Sequence, residues 1–207
     1  GLDSEDSIGQ IFAELVKLNW VGNKTGVGFY KTVLNKDGRN EFWPINFDTM
    51  EHEKPSLVEY ESVRAIKKIK NLDDRLKAWF AFDDRAAEYV LHSFAFMFSY
   101  VSKCSEKIAN DLWSIDCAMR FGYMMDYGPF EIWDILGVKD TLEFVESYGY
   151  DIGSWVYKMI EDGNCSFYRG EPGSREYYDW HSHKYKSISV QNKSTFFKKS
   201  NVGFDIK

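Results

Sequence analysis

One apolar segment constrains the fold more than any other part of the sequence. The thirteen residues from Tyr89 to Val101 are apolar apart from His92, Ser93 and Ser99. A bilayer crossing needs about 20 apolar residues, so this run is too short for a membrane span and predicts a buried core helix. We expect that helix to cover Ala86 to Val101 and to be apolar on most faces. Such a helix lies centrally in a domain or beneath a dimer partner.

Composition narrows the class of protein. The 207 residues are 44% hydrophobic and 28% charged, which excludes collagen-like and broadly disordered chains. With a net charge of -6, a nucleic-acid groove would need a local basic patch, and we expect no nucleic-acid partner. Cys104, Cys117 and Cys165 are widely spaced and fit no disulfide or zinc pattern, so we expect a reducing, cytoplasmic location. Residues 1–5 lack signal-peptide features, and residues 201–207 end abruptly, as expected for a piece of a longer protein.

The first 45 residues predict the end of one helical module followed by a hairpin. Apolar residues at helical spacing indicate a helix that ends near Trp20. A glycine-dense loop follows, and then a strand from Phe29 to Leu34. We expect the return strand at Glu41–Trp43 to be stopped by Pro44.

Residues 46–81 are predicted to connect two modules. Residues 46–55 are polar, and Ser56 with Glu59 matches a capping box before a helix that reaches Lys70. A short helix with Leu72, Leu76, Trp79 and Phe80 follows.

Residues 82–180 predict a second helical module with its own hairpin. Asp83 is expected to cap the long helix, and Ser105 to cap the next one, which ends at Gly122. Pro129 suits the first turn of a further helix. Two more helices are predicted at 142–148 and 154–160, with Gly163 as the stop, and then a hairpin whose strands are 167–168 and 177–178. Residues 181–207 are expected to form a linker or tail.

The two predicted hairpins are preceded by similar sequences. Each follows a helix, then Gly-Asn at 22–23 or 163–164, then Phe-Tyr and a basic residue at 29–31 or 167–169. This shared order favours two copies of one module, of which the first is truncated at its N-terminus.

The first candidate site is the glycine-dense loop, with Lys24, Thr25, Gly26 and Gly28. Its glycines precede a strand, whereas a phosphate-binding loop opens a helix and has Walker spacing. A helix cap followed by a turn is therefore the favoured interpretation, and contact between Lys24 and an acidic ligand group stays open.

Histidines offer little for catalysis or metal binding. His181 and His183 alternate on an extended segment and could bind a metal, but an exposed tail is the favoured interpretation. His92, on the most apolar helix, is expected to be a core histidine satisfied by a neighbour. His52 lies in a polar connection and carries no signal.

The carboxylates Glu131 and Asp134 are three residues apart and share a helix face, as acid/base pairs can. Glu131 would also lie in a first helical turn, where negative charge complements the helix dipole, so capping is favoured over catalysis. Asp111 and Asp116 are expected to be polar-face residues. The residues alone give no complete active site.

Three segments together resemble one enzyme family. They are Lys-Thr-Gly-Val-Gly-Phe-Tyr at 24–30, the stretch 115–123 that leads into Gly-Pro-Phe-Glu-Ile-Trp-Asp at 128–134, and the stretch from Trp155 through Gly-Asn to Ser-Phe-Tyr at 166–168. This pattern resembles the C-terminal helical region of 3-hydroxyacyl-CoA dehydrogenases, in particular long prokaryotic forms with tandem helical modules. The resemblance covers most of residues 10–180.

The resemblance implies a mainly α fold, a helical bundle of the 6-phosphogluconate dehydrogenase C-terminal type with two small β-hairpins. It also implies a parent enzyme that uses NAD to oxidise 3-hydroxyacyl-CoA in fatty acid metabolism. The family's catalytic His and Glu belong to a Rossmann domain outside this chain. Where the family's catalytic copy has an Asn-Arg pair, this chain reads Tyr-Val-Leu-His-Ser at 89–93. We therefore assign no catalytic, cofactor-binding or metal-binding residue.

Two functions of different classes remain. The first is the dimerisation and substrate-wall part of such a dehydrogenase. We expect this part to form a homodimer and to contact acyl-CoA and the missing Rossmann domain. By itself it is expected to be inactive and to bind no cofactor. The second is a free-standing helical interaction module with no enzymatic parent. Neither predicts a nucleic-acid or membrane partner.

Overall fold

The computed structural model describes residues 4–56, 58–171 and 174–188, with side chains described from residue 9 onward. It is mostly helical, with eight α-helices and two three-stranded antiparallel sheets in this described part. The mainly α prediction is therefore confirmed, although each hairpin is extended by a third strand. The chain divides into two compact units, Gly1–Val58 and Glu59–Lys207. The four-part division predicted from the sequence stays a prediction.

The first unit is one helix followed by a meander. Helix α1 spans Ser4–Lys17, and strands β1, β2 and β3 span Tyr30–Leu34, Asn40–Asn46 and Glu51–His52. They lie in the order β1-β2-β3.

Pro44 does not stop the return strand, contrary to the prediction. It lies within β2 opposite Tyr30, and its carbonyl accepts a hydrogen bond from the amide of Glu53 (3.0 Å). The neighbouring amide of Ile45 bonds the carbonyl of Phe29 (2.9 Å), so the strand continues without a donor from proline. Strand β3 falls in the segment predicted to be only a connection.

The second unit places its helices before its sheet. The helices are α2 (Glu61–Ile66), α3 (Leu72–Ala78) with a 3-10 turn at Trp79–Ala81, α4 (Arg85–Ile108), α5 (Leu112–Gly122), α6 (Pro129–Leu136), α7 (Leu142–Ser147) and α8 (Ser154–Glu161). The strands are β4 (Tyr168–Arg169), β5 (Glu176–Asp179) and β6 (Lys184–Ser187), in the order β4-β5-β6. Strand β6 lies in the predicted tail.

The predicted capping box at Ser56 and Glu59 is wrong. Helix α2 begins at Glu61, its N-cap is Tyr60 without a side-chain hydrogen bond, and it ends before the predicted Lys70. Local sequence matched the pattern, but the chain at Val58–Tyr60 is not helical, so no helix starts there.

Two other caps are shifted. Helix α4 is capped by Asp84 instead of Asp83, because the Asp84 carboxylate accepts hydrogen bonds from the first-turn amides and also from Ser62. Ser105 is an interior residue of α4 whose hydroxyl bonds the Ser102 carbonyl. The cap of α5 is Asp111, whose carboxylate accepts a hydrogen bond from the Ser114 amide (2.7 Å).

The long helix α4 is buried on one side and exposed on the other. Ala95, Phe98 and Val101 belong to the core, whereas Tyr89, Phe96 and Tyr100 are exposed. The helix predicted over Ala86 to Val101 is present and extends to Ile108, with aromatic residues on its exposed side as well as in the core. Within the described residues, no helix combines the length and apolar character that a membrane crossing requires.

Candidate functional site

Asp116, on α5, organises a buried cluster of polar side chains in the second unit. Its fully buried carboxylate accepts hydrogen bonds from the amides of Phe130 (2.9 Å) and Glu131 (3.1 Å) and from the hydroxyl of Tyr168 (2.8 Å). The N-cap of α6 is Gly128, so Asp116 supplies from another helix the acceptor that glycine lacks. A Cβ at Gly128 would lie 2.3 Å from the Asp116 Cβ, so only glycine allows this approach.

Glu131, in the first turn of α6, caps the start of the same helix. Its carboxylate accepts a hydrogen bond from the Gly128 amide (3.0 Å) and pairs with Arg175 (2.7 Å) and, more loosely, Arg120 (3.5 Å). The Arg175 guanidinium lies 4.1 Å from the ring centroid of Tyr168. These contacts favour the capping interpretation of Glu131.

Asp134 joins α6 to the second sheet. Its two oxygens accept hydrogen bonds from the amides of Phe167 (2.7 Å) and Tyr168 (2.8 Å). The Phe167 ring also packs against Phe130 and Trp133 of α6, with centroids 4.9 and 5.2 Å apart. Asp116, Glu131 and Asp134, which we call the carboxylate clamp, therefore fasten α5, α6 and β4 together.

Burial controls the protonation of the clamp. It raises the pKa of Asp116 to about 8, although the bonding amides act in the opposite direction and the charge of Glu131 adds to the rise. Burial likewise raises the pKa of Asp134 to about 7. Such values suit acid/base chemistry, but the oxygens of these two groups are occupied by main-chain amides and a buried tyrosine. The arrangement is suited to holding the fold.

The expectation that Asp116 lies on a polar face is therefore wrong. A carboxylate can be fully buried here because a helix start and a tyrosine hydroxyl satisfy it. Asp111 is instead the N-cap of α5. Among the described residues, no group of three or more His, Cys, Asp or Glu could hold a metal ion.

The glycine-dense loop of the first unit closes on itself. The Gly22 amide bonds the Val27 carbonyl (2.9 Å), and the Thr25 amide bonds the Gly22 carbonyl (3.0 Å). The Thr25 hydroxyl accepts a hydrogen bond from the Val21 amide (3.2 Å). A Cβ at Gly28 would lie 2.8 Å from the Gly22 Cα. The loop uses these amides internally, which favours a shaped turn over an anion cradle.

Two side chains distinguish this loop further. Lys24 is exposed at its tip. His52, which gave no signal in the sequence, contacts the Gly28 carbonyl through Nε2 (2.9 Å) and packs its ring on Trp20, with centroids 4.8 Å apart. Because these partners are far apart in sequence, nothing in the local pattern around His52 could have revealed them.

The structure confirms one part and corrects another part of each prediction for the remaining histidines. His92 is exposed; it contacts the Tyr150 hydroxyl (2.7 Å) and stacks on Tyr148, so it is no core histidine. The helix face that carries it points away from the core. His181 and His183 are exposed, as predicted, but they lie in the turn between β5 and β6 and not in a tail.

The chain is similar to a probable 3-hydroxyacyl-CoA dehydrogenase of Bacillus subtilis (strain 168), with 31% identity over 166 residues. The match covers 80% of this chain but only 20% of that relative, so the chain spans about a fifth of its length. No protein-family model and no solved structure matches the chain. The resemblance expected from the three motifs is confirmed as similarity to part of such a protein.

Proposed function

We propose that this chain is the C-terminal dimerisation and substrate-wall part of a 3-hydroxyacyl-CoA dehydrogenase. The parent would oxidise 3-hydroxyacyl-CoA to 3-oxoacyl-CoA with NAD, in β-oxidation and in the cytoplasm. The observation that carries this proposal is the 31% identity over most of the chain to a probable enzyme of that name. The three free cysteines agree with a reducing compartment.

The chemistry would belong to a part of the parent outside this chain. The acidic groups best placed for acid/base work, those of the carboxylate clamp, are engaged with backbone amides, Tyr168 and Arg175. NAD would bind a Rossmann domain, and this chain would contribute apolar surface for the acyl group. In the glycine loop, Thr25, Gly26 and Gly28 would shape the turn, and exposed Lys24 would face an acidic group of the substrate.

The exposed side of α4 is the proposed dimer surface. Tyr89, Phe96 and Tyr100 are 75%, 53% and 58% exposed at helical spacing, and Tyr150 packs beside Phe96 (centroids 5.7 Å apart). Exposed aromatic patches of this kind are typical of protein contacts. Light scattering at micromolar concentration should give a dimer, and Phe96→Glu should give a monomer. Leu34→Glu, at an exposed position of the first unit, is the matched control.

The alternative is a free-standing interaction module, favoured only by the same aromatic surface. The gene distinguishes the two functions, because a dinucleotide-binding sequence upstream of Gly1 supports the dehydrogenase and a start codon immediately before it supports the module. The functional test is NAD-dependent oxidation of 3-hydroxybutyryl-CoA by the complete encoded protein. Absence of turnover by that protein would refute the dehydrogenase proposal.

A further inference from the structure

In both units, the helix that precedes the sheet ends in the same way. Asn19, at a φ of 57°, follows α1, and hydrogen bonds run from its amide to Val16 and from the Trp20 amide to Leu15. Gly163, at a φ of 84°, follows α8 with the equivalent bonds to Ile160 and, from the next residue, to Met159. Both are Schellman motifs. A three-stranded antiparallel meander follows each of them.

The registers of the two meanders correspond. The Phe29 carbonyl accepts a hydrogen bond from Ile45, and the Phe167 carbonyl accepts one from Tyr178 (2.9 and 2.7 Å). In the first unit, Tyr30 lies opposite Pro44, the residue before the donor Ile45. In the second unit, Tyr168 lies opposite Tyr177, the residue before the donor Tyr178. Phe29–Tyr30 therefore corresponds to Phe167–Tyr168.

The corresponding residues differ sharply in burial. Phe167 and Tyr168 are 0% and 6% exposed, because α5 and α6 cover them. Phe29 and Tyr30 are 41% and 61% exposed. Among the described side chains of residues 9–56, no carboxylate accepts hydrogen bonds from the Phe29 and Tyr30 amides in the way that Asp134 serves the second unit.

The uncovered region extends beyond these two residues. Phe12 and Phe47 flank Phe29 with ring centroids 5.6 and 6.1 Å away, and both are about half exposed. We call Phe12, Phe29, Tyr30 and Phe47 the open face. An apolar surface of this type is normally covered by a partner.

We propose that the open face is the docking surface for two helices of the parent protein that precede Gly1, and that one of them carries an aspartate bonded to the Phe29 and Tyr30 amides. In the second unit the covering helices come before α8 in the chain, and α1 corresponds to α8, so the missing cover belongs upstream. The relative has ample chain for it, because four-fifths of its length lies outside the match. The proposal rests on the proposed function only in that the chain is part of a longer protein.

The upstream segment should carry a sequence like that of α6. In the second unit, glycine at the helix start allows the approach of Asp116, and the aspartate six residues later receives the Phe-Tyr amides. We therefore expect a glycine, an acidic residue three positions later and an aspartate three positions after that, upstream of Gly1.

Hydrogen exchange followed by NMR tests the proposal on two proteins, the 207-residue chain and the same chain extended by its native upstream sequence. The Phe29 and Tyr30 amides should exchange roughly 100-fold more slowly in the extended protein, because charge-assisted hydrogen bonds must open first. Replacing the upstream aspartate by asparagine should lower this protection, because asparagine has one acceptor oxygen in place of two, and should leave the Phe167 and Tyr168 amides unchanged. Asp134→Asn should lower the protection of the Phe167 and Tyr168 amides and leave that of the Phe29 and Tyr30 amides unchanged.

Three outcomes would overturn the proposal. The first is fast exchange of the Phe29 and Tyr30 amides in the extended protein. The second is protection of these amides in the 207-residue chain that depends on protein concentration, which would identify a second copy as the cover. The third is protection in that chain that does not depend on concentration, which would identify the chain's own second unit. If the aspartate variant does not fold, Tyr30→Ala replaces it and should lower the unfolding midpoint of the extended protein only. The exchange result is independent of dehydrogenase activity, so the two proposals can fail separately.

Discussion

The two units connect helix to sheet in contrasting ways. In the first, the chain between α1 and β1 is a long glycine-dense loop whose hydrogen bonds are mostly to itself, with His52 as a more distant support. In the second, the chain between α8 and β4 is short, and Asp134 and Asp116 hold its end from helices far earlier in the sequence. The first connection is shaped locally and the second by tertiary contacts.

This contrast separates what each connection contributes to stability. Removing a local turn contact affects that turn, whereas removing a clamp residue leaves buried polar groups on several elements without partners. The following experiments sharpen or break that distinction.

Asp116→Ala should lower the stability of the protein more than the other changes. It leaves the amides of Phe130 and Glu131 and the Tyr168 hydroxyl without their acceptor in a buried site, at a cost of roughly 3–5 kcal/mol in the free energy of unfolding. Urea unfolding followed by tryptophan fluorescence measures it. Asp111→Ala, which removes only a helix cap, is the control and should cost about 1 kcal/mol. Equal costs for the two variants would break the distinction.

Gly128→Ala should be the next most damaging change. Its new Cβ would overlap the Asp116 side chain and force α5 and α6 apart, at about 1–3 kcal/mol. Gly122→Ala is the matched control, because beyond its chain neighbours and its own helix backbone no atom lies within 4 Å of the added Cβ. Thermal unfolding of both variants should show a lower midpoint for Gly128→Ala only.

Stability should also depend on pH through the clamp. The pKa values of Asp116 and Asp134 rise to about 8 and about 7 from an ordinary 3.8, mainly because of burial. At a pH between the ordinary and the raised pKa values, the two carboxyl groups keep protons in the folded protein that they have released in the unfolded chain. The free energy of unfolding should therefore fall as pH rises from about 4 to 8. We rank this effect third because the ionised groups keep their hydrogen bonds.

The pH dependence has a direct control. Asp116→Asn cannot titrate, so its unfolding free energy should change less steeply than that of the native chain between pH 5 and 8. An identical slope in the two proteins would show that Asp116 ionises normally in the folded state.

His52→Ala should have the smallest effect, about 0.5–1.5 kcal/mol, confined to the first unit. It removes the contact with the Gly28 carbonyl and the packing on Trp20. Hydrogen exchange should accelerate at the Gly22 and Gly28 amides. His92→Ala, which removes a contact to Tyr150 in the second unit, should leave those amides unchanged.

The same contrast explains how much could be predicted from the sequence. Helix periodicity, the Pro129 helix start and the Gly163 stop depend on neighbouring residues, and all appear in the structure. The burial of Asp116 and the strand β6 depend on contacts with distant segments, so both were missed. The exposure of His92 was missed because composition alone did not show which side of α4 meets the core.

The most direct test of the account asks whether the clamp carries chemistry. The 207-residue chain, at high concentration with NAD and 3-hydroxybutyryl-CoA, should form no NADH, as followed by absorbance, because its buried carboxylates are engaged in holding the fold. NADH formation by this chain that is lost in Asp116→Asn, while the variant stays folded, would contradict the central claim.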